Sequence, residues 1–148
     1  MDEPLTPTLL RWNQLVMRHS IRRLSLFAKQ NNHSMAMLNS MFRLHYRGAC
    51  GVTNLGEEMG VSSAAASQLL DKMVQQGLAT RIEDPDDRRS KRISLTDAGN
   101  ALVNQAIEAR QGWMQPLVAQ LNPAEQAEVE RALRLLIEKS AILDQPQG

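Results

Sequence analysis

Near the middle of the chain two short helix-forming stretches meet at a glycine, and a hairpin pattern follows at once. Few folds accommodate that order. Residues 53–60 read Thr-Asn-Leu-Gly-Glu-Glu-Met-Gly. Thr53 can cap a helix of about two turns, Glu57 and Glu58 favour it, and Gly60 suits the left-handed position past its end. Ser62 can then cap a second helix, 63–76, which Gly77 ends. Leu55, Met59, Val61, Ala66, Leu69 and Met73 are spaced to form the inner faces. Two helices joined through a glycine turn are the layout of a helix-turn-helix.

Residues 78–82 and 92–95 read as paired strands, and "EDPDDRRSKR" (83–92) joins them. Four acids precede four cations in that stretch. A loop that only solubilises needs less charge and no sorting by sign. Placed directly after a helix-turn-helix, the stretch is the tip of a β-hairpin, a wing. Asp84 and Asp86 are expected to shape the turn, with Pro85 presetting φ between them.

Long helices flank this centre. Leu9, Trp12, Leu15, Val16, His19 and Arg23 fall near helical spacing, which predicts a helix over 8–30. Asn31–Ser34 breaks it, Ser34 caps a helix over 35–46, and Gly48 and Gly51 punctuate its end. Thr96 caps a helix that can run through Leu121, about 25 residues. Asn122-Pro123-Ala124-Glu125 carries cap, first-turn proline and returning glutamate, and starts a last helix to about Leu143. The tail 145–148 should fray. The expected fold is mainly α (α+β): one domain over 1–148, with a winged helix-turn-helix at 35–96. Its recognition helix is 63–76, its two-stranded β-wing is 78–95, and the end helices are 8–30 and 97–143.

Composition narrows the rest. At 148 residues and 43% hydrophobic, the chain suits one domain with a core. No apolar run approaches the roughly 20 residues that span a membrane. Met1-Asp2-Glu3-Pro4 lacks the basic start of a signal peptide, and the single Cys50 forms no internal disulfide, so a cytoplasmic location is expected. A net charge of +1 alone argues against a polyanion partner, but fields are local. Arg88, Arg89, Lys91 and Arg92 form one cationic cluster, and Arg11, Arg18, Arg22 and Arg23 form another. At 3% aromatics, a base-stacking surface for single strands is not expected.

On three pieces the chain resembles the MarR family of bacterial transcription regulators, over roughly residues 8–143. They are "LGEEMGVSSAAASQLLDKMVQQGLATR" (55–81), "DPDDRRSKRISLTDAG" (84–99), and the placement of this module between end helices. The resemblance implies a homodimer whose interleaved end helices carry two winged modules over a near-palindromic operator, with half-sites about one helical turn apart. The expected function is a repressor relieved by a small-molecule effector, and no cofactor is expected. Apolar residues of the end helices support a dimer separately: Leu9, Leu10, Leu15, Leu117, Leu121, Val129, Leu133, Leu136, Ile137, Ile142 and Leu143 exceed what a small winged module can cover.

Thr53, Ser62, Ser63, Ala64, Ala65, Ser67, Gln68 and Lys72 are the DNA-facing candidates of the helix-turn-helix. Small residues let the backbone approach the major groove, Gln68 can read adenine, alanine methyls can touch a thymine methyl, and Lys72 suits a phosphate. The plainer reading is the polar face of a surface helix. Resemblance places Arg89 in the minor groove, aimed by a pairing with Asp87, while Arg88, Lys91 and Arg92 follow phosphates. The family's effector pocket, bounded by the first, second and fifth helices, would be lined by Trp12, His19, Met41 and Arg47.

Other signals are bland. Cys50 reads as a structural thiol, and His19, His33 and His45 lack metal-ligand spacing. Met35, Met37 and Met41 fit a core as well as a pocket. No nucleophile elbow, phosphate-binding glycine loop or triad is present, so an enzyme is not expected. The alternatives are a regulator without a small-molecule effector, or a winged-helix module that binds protein.

Overall fold

The computed structural model describes residues 5–144, so the expected fraying of 145–148 lies outside the described residues. The elements are α1 (Leu5–Gln30), α2 (Met35–Arg47), β1 (Cys50–Gly51), α3 (Val52–Met59), α4 (Ser63–Gln75), β2 (Ala79–Glu83), β3 (Lys91–Leu95), α5 (Asp97–Gln111), α6 (Met114–Val118) and α7 (Pro123–Ser140). A 3-10 turn over Ala141–Asp144 follows α7. Two compact units result, one ending at Gln111 and one beginning at Gly112. No helix among the described residues is long and apolar enough to cross a membrane.

In the first unit α2 is the central beam. Its Met37, Met41 and Leu44 pack against Leu55 of α3, Leu70 and Met73 of α4, Ile93 of β3 and Val103 of α5. A second cluster joins Leu24 and Ala28 of α1 to Leu38 and Ala106. Met37 and Met41 are fully buried in the core, while Met35 is half-buried at the start of α2 against the second cluster.

Side-chain caps set most helix starts. Ser34 Oγ accepts from Met37 N at 3.1 Å, and Ser62 Oγ from Ala65 N at 3.1 Å. Asn122 Oδ1 accepts from Ala124 N and Glu125 N, while Glu125 Oε2 accepts from Asn122 N at 2.8 Å, a complete capping box. Gly60 turns the chain between α3 and α4 at φ 66°, the left-handed region that suits glycine. Thr96 Oγ1 accepts from Gly99 N at 3.1 Å and donates to Gly77 O at 2.6 Å, so one hydroxyl caps α5 and holds the turn after α4.

Several expectations need correction. Thr53 is not the cap of α3. That helix begins at Val52 with Gly51 in the cap position, because Gly51 is drawn into pairing with Arg92. The inner face of α4 is Ala66, Leu70 and Met73, at i, i+4 and i+7; Leu70 is fully buried, Leu69 only half-buried and Val61 exposed. The strands start and end about a residue away from expectation. Leu78 stays outside β2 because its N–H donates to Met73 O and its carbonyl accepts from Thr96 N. The sheet has three strands in the order β1-β3-β2, since Cys50 pairs with Ile93 beside the two-stranded wing.

The helix expected from Thr96 through Leu121 breaks after Gln111. Pro116 is the reason. Its ring clashes with the carbonyl four residues back, that of Gly112, and it lacks the N–H of a continuous helix. Gly112, a weak helix former, lies at the break.

Candidate nucleic-acid interface

α4 presents the side opposite its buried stripe. Ser63, Ala64, Ala65, Gln68 and Lys72 are exposed and Ser67 is half-buried. The Ser62 hydroxyl is spent on capping, and Thr53 is exposed in the first turn of α3. The first turn of α4 is therefore a patch of methyls and hydroxyls, with Gln68 behind it and Lys72 one turn further on.

The wing is built by carboxylates holding backbone. Asp84 Oδ1 accepts from Asp86 N at 2.9 Å, and Asp84 N donates to Ser90 O at 3.2 Å. Asp87 Oδ1 accepts from Arg89 N at 2.9 Å, and its Oδ2 accepts from Ser90 Oγ at 3.0 Å. These turns explain why the acids come first in the sequence. They also correct two expectations. Asp87 anchors the main chain of Arg89 and not its guanidinium. Asp86 enters the turn through its N–H, so Asp84 and Asp87 shape the loop.

The cations divide. Arg88 and Arg89 are exposed at the tip. Lys91 Nζ lies 3.6 Å from Glu83 Oε1, its register partner across the hairpin. Arg92 is half-buried and donates to Ala49 O, which ties β3 to the loop before β1. That bond engages one end of its guanidinium inside the module.

Two ion-pair arrangements were invisible in the sequence. Arg81 of β2 bonds Asp71 of α4, so the wing is tied to that helix. Arg43 clasps Glu58 with both ends of its fork, Nε to Oε2 at 2.6 Å and Nη2 to Oε1 at 3.0 Å, while its Nη1 donates to Gly48 O at 2.8 Å. Arg47 Nη1 adds a bond to Glu58 Oε2 at 3.1 Å. Hydrogen bonding from Arg43 holds the Glu58 carboxyl below its ordinary range and raises the arginine in turn. This clamp mounts α3 on α2. Opposite charges ten or fifteen residues apart give no signal until the elements carrying them are placed.

The four effector-pocket candidates do not converge. Met41 is core, since α2 turns that face toward α3, α4 and β3. Arg47 lines a surface cleft with Asn39, Arg43, Glu58 and Met59, and none of the other three reaches it. Trp12 and His19 are exposed on α1. Cys50 is buried and burial pushes its thiol upward, away from the reactive thiolate. No three His, Cys, Asp or Glu side chains cluster to hold a metal among the described residues.

Comparison with known proteins agrees with this architecture. The model of the MarR family matches residues 34–91, from the cap of α2 into β3. An uncharacterised helix-turn-helix transcriptional regulator of Bacillus subtilis, YsmB, is 28% identical over 93 residues, 63% of this chain and 64% of YsmB. The chain thus spans just under two thirds of that relative. The structure of the transcriptional regulator Tm0710 from Thermotoga maritima superposes with a TM-score of 0.80 at 18% identity, covering 95% of this chain and 96% of that one. A DNA complex of MepR from S. aureus superposes with a TM-score of 0.65 at 19% identity, over 85% of this chain and 95% of MepR. Residues 34–91, which carry the helix-turn-helix and the acid-built wing as far as the start of β3, thus match the MarR family model, and the fold of the chain is that of Tm0710 and MepR.

Proposed function

We propose that this chain is a sequence-specific, double-stranded-DNA-binding transcription regulator that acts as a homodimer on a near-palindromic operator. The observation that carries the reading is one rigid module with two probes. α4 exposes Ser63, Ala64, Ala65, Gln68 and Lys72, the wing exposes Arg88 and Arg89, and Asp71–Arg81 joins the two. A helix face of methyls and an amide suits base edges in the major groove, and an arginine tip suits a narrow minor groove. That a relative of the same fold, MepR, is seen on DNA supports the same use.

The dimer part rests on α7, which has no buried residue although it carries Val129, Leu133 and Ile137. A second copy covers such a face with the same face of its own. Repression is the finer reading: a dimer seated on an operator blocks polymerase. A small-molecule effector relieves it by binding better to a dimer whose recognition helices no longer match the half-sites.

Fluorescence anisotropy tests the reading, with the duplex beside the chain's own gene against random duplex over a salt series. Tighter binding to the first, lost steeply with salt, is expected. Binding to neither duplex at low salt overturns it and favours a protein-binding module.

A further inference from the structure

The second cationic cluster is not used by the interface described above. No Asp or Glu occurs between Glu3 and Glu57, while seven Lys and Arg do. Five of these, Arg11, Arg18, Arg22, Arg23 and Lys29, lie on α1, and all five are exposed. Among the described residues no carboxylate pairs with any of them. Ordinary solvated helix faces mix signs; this one does not.

The five are also ordered. Arg11, Arg18, Arg22 and Lys29 follow at steps of seven, four and seven residues. At 3.6 residues per turn such steps return to within about 20° of one line, over a length of about 27 Å. Arg23 stands about a third of a turn away. Exposed Gln14 and Ser25 border the line and can add neutral donors. Leu24 and Ala28, on the other side of α1, are buried in the cluster with Leu38 and Ala106.

We propose that this stripe is a second, sequence-independent contact for the backbone of double-stranded DNA. The proposal rests on the DNA-binding reading, since it is the duplex held by α4 and the wing, or a segment next to it, that supplies the phosphates. A row of cations with no acid between them fits a row of phosphates. A lipid surface is the rival, because α1 also leaves Leu10, Met17, Ile21 and Leu26 exposed beside its cations. The duplex is favoured because α4 and the wing, in the same compact unit as α1, already bring phosphates to this chain. An acidic helix of a second copy fits less well, because α7 mixes Arg131, Arg134 and Lys139 among its glutamates.

The test uses the full chain and its Arg11→Gln/Arg18→Gln/Arg22→Gln variant on random-sequence duplexes of about 20 and about 60 base pairs, with affinity followed against salt. Glutamine keeps helix propensity, and Arg11→Lys/Arg18→Lys/Arg22→Lys keeps the charge. On the long duplex the glutamine variant is expected to lose up to about 0.9 of log–log salt slope per phosphate contact, and the lysine variant to retain it. On the short duplex the glutamine variant should lose less. Equal slopes for wild type and glutamine variant at both lengths overturn the stripe. So does loss of dimer in sedimentation, or loss of flotation with phosphatidylserine vesicles while the DNA slopes stay equal. Wild-type protein that binds neither duplex overturns the DNA reading itself, a separate result.

Discussion

Gly99 owes its identity to a carbonyl. A Cβ there would stand 2.0 Å from Leu78 O, on backbone that Thr96 already holds. Gly99→Ala is therefore expected to cost about 3 kcal/mol or more, because strand end and helix start must part. Urea unfolding followed by circular dichroism measures it; a loss under 1 kcal/mol, on the order of a surface change, contradicts the geometry. Arg89 is the opposite kind of residue, exposed and without structural duty. Arg89→Ala should leave unfolding unchanged and weaken operator binding by about 1–3 kcal/mol. Asp87→Ala should lose a similar amount of affinity, since the carboxylate holds the backbone that presents Arg89. The caps at Ser34, Ser62, Thr96 and Asn122 were legible in the sequence because a cap bonds its own next three residues. Thr53 looked equally good, and lost its place because Gly51 beside it pairs across space with β3.

Between the elements, the Asp71–Arg81 tie makes α4 and the wing one body. Both partners are exposed, so Arg81→Met should change stability by less than about 1 kcal/mol. Its expected effect is faster hydrogen exchange at the amides of β2 and β3, with weaker DNA binding. Unchanged exchange would mean the sheet register alone holds the wing. The clamp of Glu58 by Arg43 adds a pH dependence. The folded carboxyl is held below its ordinary value of 4.5, so its contribution is present above that value and lost as pH falls through the lower folded one. Thermal unfolding from neutral pH into acid should show a decline beginning near pH 4.5 that Glu58→Gln makes shallower. An identical acid limb in the variant would show that other carboxylates set it. The helix-turn-helix and hairpin could be read from spacing because both are local. Helix breaks inside periodic sequence were harder: the apolar pattern runs on past Gln111, and it is the backbone chemistry of Pro116 that stops the helix.

For the chain as a unit of function, the decisive question is what covers α7. An 18-residue helix with no buried side chain has little reason to be helical in water by itself. Its capping box contributes about 1 kcal/mol, too little to hold eighteen residues in order. Leu133 and Ile137 flank a shallow groove with Glu130 and Arg134, and Ile142 and Leu143 continue the apolar surface beyond it. Burying such side chains is worth about 1.5–3 kcal/mol each, so a two-fold seam that covers several from each copy outweighs the entropy of association. The whole chain should therefore sediment as a dimer, and a chain ending at Leu121 as a monomer. Its winged module should still fold, because every residue of that module's core lies before Gln111. The monomer should then bind a half-site weakly and lose the preference for paired half-sites one helical turn apart, which requires two modules held at fixed spacing. A truncated chain that remains dimeric would place the seam on α1 and α5. The exposed leucines of α7 would then have to answer to another partner.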